Sequence, residues 1–135
     1  MQKKWSKKIN GIWKGVEIDS GYATLKIDEE KNTFSYISGG NGMGTFSNGH
    51  FEVTGDSILL TSTNATEIEG CYFILPFGQC SFTESRLTKL NCKPAKTKFY
   101  NFFDNDIFYI KDQFLIYKPS SRNNCPNQSL ERFIK

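Results

Sequence analysis

The chain has 135 residues, 38% of them apolar and 15% aromatic, with seventeen basic and fourteen acidic side chains for a net charge of +3. That length builds one hydrophobic core and not two. The composition excludes a disordered chain, and the charge is too mild to specify nucleic acid as a partner.

Residues 1–8 carry Lys3, Lys4, Lys7 and Lys8 and read as a flexible basic N-terminal arm. A single folded domain is expected over 9–135. No apolar stretch follows those lysines, so no signal peptide is read here. Two histories fit. Either the chain starts natively at Met1 and stays in the cytoplasm, or it is the mature form of an exported protein whose leader has been removed.

Ile9 to Ile18 reads as a first strand, and Asp19-Ser20-Gly21 as a turn. Tyr22 to Ile27 alternates, with Ala23, Leu25 and Ile27 on one face. A charged turn at Asp28 to Asn32 leads to a third strand with Phe34 and Tyr36 on a shared face. The glycine-rich run from Gly39 to Gly44 is not followed by a helix, so it lacks the anion site of a phosphate loop and reads as a loop or bulge. Asn48-Gly49 predicts a two-residue hairpin, and Gly55-Asp56 another turn.

Further strands are expected over Ser57–Ser62, Thr66–Ile74, Gln79–Thr83 and Lys98–Phe103. A late hairpin is expected around Lys111-Asp112, ended by Pro119, which cannot donate to a ladder. The longest apolar stretch, Cys71 to Phe77, is far too short for a transmembrane segment. These signals predict an all-β chain, an antiparallel meander barrel of about 8–10 strands. Closure would remove the edges that so aromatic a sheet could not safely expose.

Cys71, Cys80, Cys92 and Cys125 match no zinc spacing, and His50 is the only histidine. No metal or other cofactor is expected. Two disulfides, and hence an oxidising compartment, are the simpler reading. Of three pairings, Cys71–Cys80 with Cys92–Cys125 closes the most local loops. The chemistry of an enzyme is not visible either. His50 lies beside a turn on the outward face, and the carboxylates cluster in turns such as Asp28 to Glu30 and Asp104 to Asp106.

Gly11-Ile12-Trp13 at the first strand, the meander that follows and a basic residue near the end resemble the lipocalin-like, or calycin, barrels. The Gly-Asp-x-Ile-x-Leu unit at 55–60 is similar to small bacterial envelope barrels of the META/HslJ-like kind. The resemblance implies that Trp13 lies across one end of the barrel with Arg132 packed over its ring. It also implies a protein that acts by binding. Inward rings (Phe34, Tyr36, Phe51, Phe99 and Phe114) would line a cavity for a small apolar ligand. Alternatively they fill the barrel, and the loop of Gly40, Asn41, Gly42 and Met43 binds a protein partner, as an envelope inhibitor or immunity protein would. Such a protein is expected to be monomeric, periplasmic or secreted, and held to a membrane, if at all, by a lipoprotein anchor.

Overall fold

The computed structural model describes residues 9–16, 21–40, 42–78, 86–119 and 132–135. The basic arm, Asp19-Ser20, Asn41, the strand expected over Gln79–Thr83, Cys80, Cys125 and the segment 120–131 lie outside the described residues.

Strands form where apolar side chains alternate between turn residues: β1 (Gly11–Gly15), β2 (Tyr22–Asp28), β3 (Thr33–Gly40), β4 (Met43–Thr54), β5 (Ser57–Ser62), β6 (Phe73–Pro76), β7 (Lys98–Phe102), β8 (Asp106–Lys111), β9 (Phe114–Lys118) and β10 (Arg132–Ile134). The one helical element described is a 3-10 turn, Ala65–Glu67. Eight strands run antiparallel in the order β3-β2-β1-β10-β9-β8-β5-β4, and β3 pairs back onto β4 to close a barrel. This is the expected lipocalin-like architecture.

One end of the barrel is made of tight turns. Asp28 accepts from the amides of Glu30 and Lys31, and Asn32 turns at φ 57°. The β8–β9 turn uses Asp112 and Gln113 at φ 52° and 73°, the geometry a two-residue hairpin demands. Trp13 is buried near this end, where its indole N–H donates to the Ile9 carbonyl at 2.8 Å. Arg132 is not its partner. The β10 register places Phe133 inward and Arg132 outward, so the guanidinium lies over Phe114 at 5.0 Å. Lys135, on the parity of Phe133 and beside Gly11, holds its ammonium 5.4 Å from the Trp13 ring.

The other end carries the β3–β4 hairpin and a long excursion, residues 63–105, between β5 and β8. Within the excursion β7 runs parallel to the Gly44–Phe46 part of β4, and β6 runs parallel to β7. The excursion leaves and returns at one point. The Ser62 amide donates to the Phe103 carbonyl, and the Phe103 amide donates to the Ser62 hydroxyl, both at 2.8 Å.

Two expectations are corrected here. Asn48-Gly49 is not a turn; β4 runs straight through it. Gly49 is needed instead because β5 passes so close that a Cβ would lie 2.1 Å from the Thr61 carbonyl oxygen. The disulfide joins Cys71 to Cys92, not Cys71 to Cys80. An antiparallel bridge between Phe73 and Leu87, with the Thr88 amide donating to the Tyr72 carbonyl, folds the segment back so that the two cysteines meet. The loop spans 21 residues. Replacing both cysteines by serine is expected to cost about 3 kcal/mol of stability, measured by urea unfolding.

The lumen is occupied by rings. Phe103 meets Phe34 and Tyr36 edge-on, each at 5.3 Å, and Phe108 lies 5.2 Å from Tyr117. Phe77 comes from the excursion and not from a barrel strand. It stacks on Phe103 at 4.2 Å, meets Tyr117 edge-on at 4.9 Å, and is 2% exposed. It closes the loop end from above.

Candidate functional site

The five rings expected to face a ligand divide into two groups. Phe34, Tyr36 and Phe51 are inward and buried in the core. Phe34 and Tyr36 are in contact with other rings. Phe114 points outward, because Leu115 and Tyr117 take the inward positions of β9, and it carries the Arg132 guanidinium. Phe99 stands on β7, next to Phe73 at 6.2 Å, half-buried and outside the core cluster.

The expected partner loop is the tip of the β3–β4 hairpin. Gly40 pairs with Met43, and Gly42 turns at φ 79°. Met43 is 48% exposed there. On the outer wall Tyr22 and Ile37 are also exposed, whereas Met43 has the parity of Ser47 and Phe51 and stands at the rim. The Tyr22 ring lies on Gly39, so close that a Cβ at that glycine would come within 2.9 Å of it. Register continues the surface: Ile37 is opposite Thr24, Lys14 is opposite Thr24 and Ile134, and Ile12 is opposite Lys26. Exposed apolar side chains thus alternate with lysines across β10, β1, β2 and β3. His50 is exposed on the outer face between Thr33 and Thr61.

A small second cluster binds the excursion to the barrel. Phe46 points outward from β4, 4.8 Å from Tyr72 and 5.3 Å from Tyr100, with the Lys98 ammonium over its ring. Tyr100 is fully buried, and its hydroxyl donates to the Thr63 carbonyl at 2.7 Å. Burial pushes its pKa above the ordinary value of 10.0, while the Ser47 and Ser62 hydroxyls pull it the other way. A raised folded pKa means that stability from the neutral phenol is fully present below about pH 10 and lost as pH rises through the folded value. Tyr100→Phe should therefore flatten the alkaline fall in stability, measured as urea midpoints between about pH 8 and 11.

Among the described residues no three His, Cys, Asp or Glu side chains gather as a metal site would require. Asp106 is committed to structure: its carboxylate accepts from the Asp104 amide at 2.9 Å and from the Tyr117 hydroxyl at 3.1 Å. Asn101 differs from the other buried polar groups. Its side-chain carbonyl oxygen is buried with no donor.

Outside the barrel wall, an open cleft of about 420 Å³ lies between the outer face of β6–β7 and the stretch after β5. Ala65, Ile74, Leu87 and Phe102 supply its apolar lining, and Ser62, Asn64 and Arg86 its polar groups. None of these residues was marked by a motif. They come from four separate stretches that only the folded excursion brings together. No helix among the described residues is long and apolar enough to cross a membrane. No protein-family model matches the chain, nor does any curated protein or any solved structure.

Proposed function

We propose that this chain is an exported, monomeric, non-enzymatic binding protein that engages a protein partner through its outer wall and β3–β4 hairpin. The observation that carries the reading is the Phe77 ring stacked on Phe103 at 4.2 Å. A ring from the excursion occupies the place where a ligand would enter, and the rings below it already touch one another. A small apolar ligand would have to displace side chains that hold the core together.

The outer wall supports the same reading. Ile12, Tyr22 and Ile37 are each about half exposed, and the register sets Lys14 and Lys26 among them, with Met43 exposed at the rim. Apolar anchors within a cationic frame suit a partner with an apolar patch and an acidic rim. An inhibitor or immunity protein that blocks a toxin or enzyme is one form of this function. The Cys71–Cys92 bond supports an oxidising compartment.

Two measurements test the proposal. Native mass spectrometry of the purified protein should show the bare chain mass, and an apolar fluorescent dye should gain no emission in its presence. Affinity capture from the envelope fraction of the producing cell should recover a partner with the parent protein and lose it with Ile37→Glu. A stoichiometric co-purified lipid, or capture indifferent to Ile37→Glu, would sink the reading.

A further inference from the structure

The geometry points to the cleft beside β6–β7 as a binding site for a small organic anion, a carboxylate on an apolar body, with Arg86 as the group that holds the charge. This site is separate from the outer wall assigned to a protein partner and does not rest on that assignment.

The volume, about 420 Å³, falls in the range of small-molecule pockets. Its lining divides into two kinds of surface. Ile74, Phe102, Leu87 and Ala65 offer an apolar bed, formed because the bridge between Phe73 and Leu87 sets the second segment alongside β6. The polar groups left over are donors. The Ser62 hydroxyl is spent on Ser47 at 2.6 Å and on the Phe103 amide. The Asn64 carbonyl oxygen accepts from the Thr66 amide and hydroxyl at 3.0 and 2.9 Å, which leaves its NH2 as the half that can face a ligand.

Arg86 completes the set. Its backbone is fixed, since its carbonyl accepts from the Ile74 amide at 2.8 Å, while its side chain is exposed. No carboxylate stands among the described residues that line the cleft. A planar guanidinium beside an apolar bed and an amide donor favours a bidentate carboxylate over a neutral or cationic group. An exposed cation with nothing beside it would be an ordinary solvated arginine. The distinguishing fact is that this one borders an open cleft that sets an apolar bed beside polar donors, next to a disulfide-closed loop.

The test uses the whole oxidised protein and 4-phenylbutyrate as the probe, followed by amide chemical shifts. Saturable shifts are expected at Ala65, Ile74, Leu87 and Phe102. The uncharged analogue 4-phenylbutanol should bind at least about tenfold more weakly, and Arg86→Gln should weaken the acid by a similar factor, as the loss of a charged hydrogen bond implies. Arg86→Lys should recover part of the affinity. Ala65→Trp should abolish binding of both probes by filling the cleft. Near-ultraviolet circular dichroism checks that each variant keeps its fold. Absence of saturable shifts at those amides, equal affinity for acid and alcohol, or indifference to Arg86→Gln would each overturn the assignment. None of these results depends on a protein partner, so the two proposals fail independently.

Discussion

Phe77→Ala is expected to cost about 3–5 kcal/mol and to make the barrel bind an apolar dye that the parent is expected to leave unbound. The ring is buried among Phe103, Tyr117, Tyr36 and Phe108, with centroids 4.2 to 5.9 Å away. Truncation removes both its transfer from water and its contacts, and leaves a hole that neighbouring rings cannot fill without leaving their rotamers. The excursion that carries Phe77 is fixed at Ser62 and Phe103 and by β7 pairing to β4, so it cannot collapse far into the gap. Urea unfolding reports the cost, and dye emission reports the opening. A loss below about 1 kcal/mol would show that the ring is not part of the core.

The second large effect is expected at the opposite end. Trp13→Ala should lower stability by about 3–5 kcal/mol, by far-ultraviolet circular dichroism in urea. Trp13→Phe separates the causes. It keeps a ring of similar placement but leaves the Ile9 carbonyl without the indole donor it now meets at 2.8 Å, a cost of about 1–3 kcal/mol. Lys135→Gln removes only the ammonium above the ring and should cost about 0.5–1 kcal/mol, the value of an exposed cation–π contact. A Trp13→Phe penalty equal to that of Trp13→Ala would show that hydrogen bonding, and not ring packing, dominates.

The barrel itself was legible from the chain because its strands obey local rules. Ala23, Leu25 and Ile27 alternate and do face inward, as do Phe34 and Tyr36 on β3 and Ile58 and Leu60 on β5. The late hairpin was legible from the apolar runs on either side of it, with its turn at Asp112-Gln113, one residue on from the expected Lys111-Asp112. What failed were inferences that needed the third dimension. Asn48-Gly49 satisfies the hairpin rule, yet Gly49 is selected by the approach of β5 from across the sheet. Arg132 has the right chemistry for a ring partner, but strand parity turns it outward and gives the place to Lys135.

The excursion was the least legible part. Its parallel pairings join segments far apart in the chain, and parallel pairing leaves no turn to mark it. Phe77 looked like one apolar residue in a short apolar run. Only the closure of the loop end shows why a ring is needed there. The cleft at Arg86 had no sequence signal at all, because its lining is assembled from separate stretches.

The stitch between Ser62 and Phe103 has a consequence for how this molecule can change over generations. The departure and arrival points already sit side by side, so the scaffold tolerates having the intervening length exchanged, trimmed or replaced by a graft. A descendant that dropped the cassette would keep its eight staves and lose its stopper.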